Sequence, residues 1–464
     1  MTTVALLSCT KSKKAYRCKA EQMYAESPRF RLAYTYASLV ADEIYILSAK
    51  HGLLPADQQI DPYDESLNEK SPGERLKWKD KVLNALDSVS DADNDDYIII
   101  AGQNYYEHLL PRIKRFWLPL RGKRLFDWAR ELERLLKLER SSDPTEVLHL
   151  LFTGLPRLDW TKIKSIPYSN GIYIMFEKSE TYQGMDRIVR VGTHRSQGRL
   201  KGRLMDHFVT EDADGSIFRK NIGRAFLNKH SDPYLKAWEI DLSKTGNKKR
   251  YAHLIDEQRE DELESRITRY LRNNISLICF PVYEKEERLR LEEGIIATLN
   301  KKASFRPGDK WLGRSSPMTD IAESGLWNRE GLDGRPLADE ELQRIKWLCR
   351  FGNDFYRFRE APTVQNSGIA TANVRRTVPS TSMTRAGGKY QKLGGYLSGL
   401  KGNHVRLSFA ELENILGFNL PASASKHRAW WGNGGHTQAD SWLKAGWRVH
   451  SVELGHSVEF IRAK

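Results

Sequence analysis

Tyr173, Arg203, His207 and Glu292 are residues of the types that hydrolysis of a phosphodiester requires. That reaction needs a base to activate water, positive charge on the phosphate, and a metal or a proton donor for the departing oxygen. Tyr173 lies in the apolar strand pattern Gly171-Ile172-Tyr173-Ile174-Met175-Phe176, and a second strand pattern, Arg187-Ile188-Val189-Arg190-Val191-Gly192, follows it. A basic helix comes next, where the four-residue spacing of Arg203 and His207 sets both on one face. Taken singly, a tyrosine in a strand is usually core packing and a basic helix is usually a solvated face. The ordered set within one domain's length carries the inference.

The elements that must position these residues belong to a chain of 464 residues, too long for one ordinary core. Its formal charge of +14 and pI of about 9.4 attract polyanions, which makes nucleic acid the favoured partner. A mean hydropathy of −0.60 and the lack of a long apolar run exclude a membrane span. Cys9, Cys18, Cys279 and Cys349 are scattered without paired metal spacing, and no secretory pattern precedes the first strand, so a reduced cytoplasmic location is expected.

The central stretch resembles the GIY-YIG endonucleases, and its Arg-x-x-x-His spacing resembles their restriction-type branch. The resemblance implies an α+β nuclease domain over 147–358. In it Tyr173 is the catalytic base or positions the water, Arg203 holds the scissile phosphate, and His207 lies one turn further along. The family's Glu-x-x-aliphatic-aliphatic pattern fits Glu292, with Ile295 and Ile296 turned to the core and Glu293 as the alternative. A single carboxylate with waters and phosphate oxygens suits Mg2+, or Mn2+. The second motif departs from the family: Arg190 stands where a tyrosine is usual, which opens the identity of the base. The basic segment Ser216–Arg224, with Arg219, Lys220 and Arg224, is expected to track a DNA backbone together with Arg199 and Lys201. Asn328, in a Gly-Leu-Trp-Asn run, is a further candidate.

Over 1–140 the chain alternates strand, helix, strand, helix, strand, which implies a parallel α/β sheet whose strand-end loops gather on one edge. Those loops carry Ser8, Cys9, Lys11 and Lys13, then Ser48, Lys50 and His51, then Gln103 and Tyr105; Asp61, Tyr63 and Asp64 follow the second. Hydroxyls, cations, amides and rings of this kind can bond to and stack on a base. The region resembles an uncharacterised family marked by SCTKSK, LSAKHGLL and PYDESL, and more remotely the uracil-DNA-glycosylase-like module of archaeosine synthases. That likeness implies a nucleobase pocket that recognises or excises a flipped base, with Asp64 or Asp61 at the sugar.

Residues 359–388 have the composition of a flexible linker. Residues 389–464 resemble a small uncharacterised α+β module with the plan helix, helix, loop, helix, strand, in which Ser408 and Glu411 form a helix-capping pair. Lys426, His427, Arg428, Trp430 and Trp431 interleave cations with rings as a DNA-binding surface would.

The whole is expected to be a multidomain, metal-dependent DNA endonuclease joined to a base-recognising or glycosylase-like domain, serving restriction of foreign or base-modified phage DNA. The alternatives are a repair or RNA-processing nuclease and a catalytically degenerate DNA-binding protein. One such site cuts one strand, so a double-strand break requires a homodimer or a second event.

Overall fold

The structure is a computed structural model that describes residues 2–244, 246–352, 390–400, 402–417, 420, 424, 428–433 and 439–462. Two compact units divide at Thr363/Val364. The linker expected over 359–388 lies outside the described residues.

In the first unit, β1 (Thr3–Ser8) is the middle strand of a five-stranded sheet. The strands that follow are β2 (Cys18–Lys19), β3 (Glu43–Ser48), β4 (Gly52–Pro55), β5 (Gln59–Ile60), β6 (Asp96–Ile100) and β7 (Arg115–Trp117). The sheet order is β4-β3-β1-β6-β7, while β2 and β5 pair as a separate ribbon. β1, β3, β6 and β7 run parallel, as the alternating pattern implies, and β4 folds back antiparallel on β3. Every residue of β6 is buried, as a strand covered on both faces must be. The crossover helix Pro28–Val40 starts at Ser27 with proline in its first turn, and Pro72–Val89 starts at a Ser71/Glu74 capping box. The loop after β3 is a tight turn into β4, which pairs Ser48 with Gly52 and so differs from the open loops after β1 and β6.

The central sheet holds β8 (Gly171–Tyr182), β9 (Met185–Gly192) and β10 (Ile275–Pro281) in the order β10-β8-β9, all antiparallel. β8 turns into β9 through Gln183 and Gly184, both at positive φ, the turn geometry that matches strand twist. Pairing sets Tyr173 opposite Gly192 and Met175 opposite Arg190. The helices Leu200–Phe208, Ile217–Lys229, Glu257–Asn274 and Lys285–Lys301 supply the rest of the site's surroundings.

These two regions share one continuous apolar core that includes Leu6, Leu136, Phe152, Ile172 and Ile345. Glu139 pairs with Lys346 at 3.0 Å and with Arg350, and the Trp347 indole donates to Asp96 at 2.7 Å. The polar stretch Ser141–Pro144, between the regions 1–140 and 147–358, leads into a helix start, with the Asp143 side chain accepting from Thr145 N–H.

The second unit has β11 (His404–Ser408), β12 (Trp447–Glu453) and β13 (Ser457–Arg462) in the order β11-β13-β12. The Ser408/Glu411 capping box is present at the helix Phe409–Leu416. The sequence plan missed β11, whose period is short and mixed with charge. Trp431, Trp442 and Trp447 form the core with Leu412 and Phe460. Trp431, expected to face DNA, is buried and donates to Ala424 O at 2.8 Å, since a domain this small needs its largest side chains inside. Lys426, His427 and the side chain of Arg428 lie outside the described residues. Trp430 is partly buried and meets Trp431 and Tyr390 edge-on.

Candidate active site

β8 carries Tyr173 into the interior, where its hydroxyl lies 2.8 Å from His207 Nε2 on the helix Leu200–Phe208. The other ring nitrogen of His207 is 2.7 Å from Ser216 Oγ, the cap of the helix Ile217–Lys229. Both rings are fully buried. Burial holds the Tyr173 phenol above its ordinary range, and burial together with Arg190, Arg203 and Arg219 keeps His207 far below its own. A neutral histidine bonded to a neutral tyrosine results. Gly192, paired with Tyr173 across the hairpin, is packed so tightly on the phenol that a Cβ there would overlap its hydroxyl.

Arg190 leaves β9 beside this pair and is 6% exposed. One guanidinium nitrogen donates to Trp327 O at 2.8 Å, the plane lies 4.7 Å from the Phe218 ring centre, and Nε is buried with no partner among the described residues. Asn328 holds the strand that carries it: its amide accepts Val191 N–H at 3.0 Å and donates to Val191 O at 2.8 Å. The trailing Trp-Asn pair thus acts as a backbone clamp on β9. Arg203 is partly buried and donates to Gly215 O at 3.0 Å.

Glu292 comes from the helix Lys285–Lys301, and one carboxylate oxygen accepts Thr193 N–H at 3.0 Å, just past the end of β9. Burial pushes its carboxyl up to about 7, while Arg190 and Arg203 pull the other way. Those same two arginines act on Tyr173 and His207, so all five residues share one electrostatic neighbourhood. Glu293, the alternative, is exposed, faces away and pairs with Arg290. Among the described residues no cluster of three or more His, Cys, Asp or Glu side chains could hold a metal. A lone carboxylate, one oxygen of which accepts Thr193 N–H, still fits a hard divalent ion that keeps most of its waters and takes phosphate oxygens.

The basic segment beyond His207 requires correction. Arg219 is fully buried: Nε donates to Glu264 at 2.9 Å and Nη1 to His207 O at 3.0 Å. Lys220 and Arg224 are also buried and pair with Asp214 and Glu239. These cations brace the site from behind and present nothing to a DNA backbone. Losing Arg219 would strand Glu264, so Arg219→Ala should cost about 3–5 kcal/mol of stability by denaturant unfolding. Arg199 and Lys201 remain nearer the surface; Arg199 is exposed and pairs with Asp206 at 2.8 Å. Thr193, in the site's bonding, was not singled out in the sequence, and Ser216 was named only as the start of the basic segment, although a serine at a helix start is a capping signal. The packing at Gly192 carries its own expectation. Gly192→Ala should displace the phenol, with about 1–3 kcal/mol lost to overpacking as read by denaturant unfolding.

At the carboxyl ends of β1 and β6, Ser8, Cys9, Lys11, Lys13, Asp64, Gln103 and Tyr105 line a pocket of about 530 Å³. Cys9 Sγ lies 3.3 Å from the Tyr105 hydroxyl. Beside the pocket, the Tyr63 hydroxyl is 2.7 Å from both Ser48 Oγ and Tyr24, and Lys13 and Lys50 sit over the Tyr63 ring. His51 meets Tyr63 edge-on, and burial lowers its pKa. Asp61 is exposed and does not line the pocket.

Residues 4–134 match the model of a family of unknown function (DUF6884), residues 148–346 that of the GIY-YIG domain, and residues 390–464 that of a domain of unknown function (DUF7662). No curated protein and no solved structure matches the chain. Among the described residues no helix is long and apolar enough to cross a membrane.

Proposed function

We propose that the GIY-YIG domain of residues 148–346 makes this protein a DNA endonuclease with Tyr173 at its reacting centre, directed to its target by the N-terminal domain. The observation that carries the reading is the buried 2.8 Å contact between the Tyr173 hydroxyl and His207 Nε2 beside Arg190, Arg203 and Glu292. In its Nδ1–H tautomer, which Ser216 Oγ at 2.7 Å can accept, neutral His207 offers Nε2 as acceptor of the phenol's hydrogen bond. Tyr173, its hydroxyl held by that hydrogen bond, then positions the attacking water. Arg190 and Arg203 supply the positive charge that the phosphorane-like transition state demands, in a site with little water to screen them. Glu292 would hold Mg2+ or Mn2+, which supplies charge neutralisation at the departing oxygen.

Arg190 replaces the usual tyrosine without leaving a gap, because Trp327 O, the Phe218 ring and the Asn328 clamp fix it. That arrangement favours an active enzyme over a degenerate binding protein. The N-terminal pocket supports target choice by base recognition or base excision, and restriction of foreign or base-modified phage DNA is the role that joins the two. Digestion of unmodified and hypermodified phage DNA, with and without Mg2+, tests this. Metal-dependent strand breaks restricted to, or strongly favouring, one DNA are expected, and mass spectrometry for released base separates excision from recognition. Binding without cutting under every condition would overturn the nuclease reading.

A further inference from the structure

Glu177 lies on β8, four residues beyond Tyr173, and strand alternation sets both side chains on the same face of the sheet. It is 7% exposed, and among the described residues no cation pairs with it. Three neutral donors converge on the carboxylate instead. The Tyr270 hydroxyl bonds one oxygen, and the indole N–H groups of Trp311 and Trp327 donate to the other at 2.9 and 3.2 Å. Burial pushes this carboxyl above its ordinary range, and the three bonds pull the other way. A buried carboxylate without a cation is a costly way to fill space, so packing alone does not explain it. What it offers is acceptance from every donor at once, which a glutamine, carrying donors of its own, cannot give.

Trp327 carries this anchorage to the active site by two routes. Its peptide N–H donates to Val189 O at 2.7 Å and its peptide oxygen accepts from Arg190 at 2.8 Å, so it lies along the outer edge of β9. Its ring centre is 6.2 Å from that of Phe218, the ring that meets the Arg190 guanidinium and stands edge-on to His207. Glu180 holds the same segment further back: it accepts Gly308 N–H at 2.9 Å and pairs with buried Arg187, which donates to Gly325 O. We infer that Glu177 is a positioning residue for strand cleavage: it fixes the Trp327 indole, and with it the peptide oxygen and the ring that aim the Arg190 guanidinium. The inference rests on the reading of Arg190 as a source of positive charge at the reacting centre. A guanidinium on a flexible stem loses its aim more readily than a ring, so an arginine in place of the usual tyrosine calls for such a mount.

The test follows single-turnover cleavage by the full chain, with Mg2+ and the DNA that the wild type cuts, beside DNA binding by anisotropy. Glu177→Gln should slow cleavage by about tenfold to a hundredfold, the scale of a misaimed group, with affinity changed by no more than about twofold. In an Arg190→Ala background the same substitution should cost no further rate, because the group it aims is gone. Trp327→Phe keeps a ring and the peptide and removes the donated bond; it should show a smaller loss with the same lack of additivity, and it carries the test if Glu177→Gln does not fold. Losses that multiply in the double variant, or an unchanged rate in both single variants, overturn the inference. Hydrogen exchange gives a readout free of cleavage. The amides of Trp327 and Val191, held by Val189 O and Asn328, should exchange at least about tenfold faster in Glu177→Gln, while those between β8 and β10 keep their protection. Unchanged exchange at both amides overturns the anchorage. Faster exchange in a protein whose unmutated form never cuts DNA would leave the anchorage of Arg190 standing and sink only the nuclease reading.

Discussion

Tyr173→Phe should lower the single-turnover rate of DNA cleavage by on the order of 10²–10⁴, the usual worth of a positioned acid or base, while DNA binding changes little. The substitution removes one oxygen from a ring that is otherwise fully packed against Gly192 and His207. Stability should fall by about 1–3 kcal/mol, because His207 Nε2 is then buried without a partner. The rate loss far exceeds what that destabilisation could cause in a protein still folded at the assay temperature, so the two measurements together separate chemistry from folding. His207→Ala should give a loss of similar size but less complete, because Tyr173 remains to orient the water. A Tyr173→Phe variant that cuts at the wild-type rate would show that another group, Arg190 or a metal-held water, activates the nucleophile.

Glu292→Gln should abolish metal-dependent cleavage and weaken divalent-ion binding, as read by calorimetry with Mg2+ or Mn2+ in the absence of DNA. The pH dependence is the sharper readout. Burial raises the metal-free carboxyl to about 7, so below that pH an ion must displace a proton to bind. Apparent affinity should therefore fall by about tenfold per unit as pH drops below 7, and level off above it. Stability of the metal-free protein follows the opposite sign. A carboxyl whose folded pKa lies above its unfolded value near 4.5 contributes stability that is fully present below that value and lost as pH rises through about 7. Glutamine cannot ionise, so the stability difference between wild type and Glu292→Gln should drift against the wild type from about pH 4.5 to 7 and stay flat beyond. A difference that does not change over that window would show that the carboxylate is already solvated in the folded protein.

How much of this was legible beforehand depends on the range of the interaction. β1, β3 and β6 are short apolar runs with a regular crossover rhythm, and Ser408 announces the helix it begins. Tyr173, Arg203, His207 and Glu292 stood out because residue type, order and local spacing survive in a linear string, and the Arg190 departure was equally plain. Arg219, Lys220 and Arg224 were misjudged for the complementary reason. A string shows three cations in a row of helix but not Glu264, Asp214 and Glu239, which fold over them from other segments. Trp431 was misjudged because exposure depends on how little else a small domain has to bury.

The sequence by itself determined which groups are available: a tyrosine, a histidine, two arginines and a glutamate within the stretch that matches the GIY-YIG domain, preceded by strand-end loops rich in polar side chains and rings. Tertiary structure alone decided how those groups are held. It joined Trp327 and Asn328 to β9 across 137 positions to hold Arg190, and set Thr193 N–H on Glu292 across 99. It also packed Tyr173 and His207 into the interior, which favours the neutral form of both and fixes the bond between them. Burial and long-range pairing are properties of the packed chain, and they set the protonation state, the charge and the reach of each side chain that its identity leaves open.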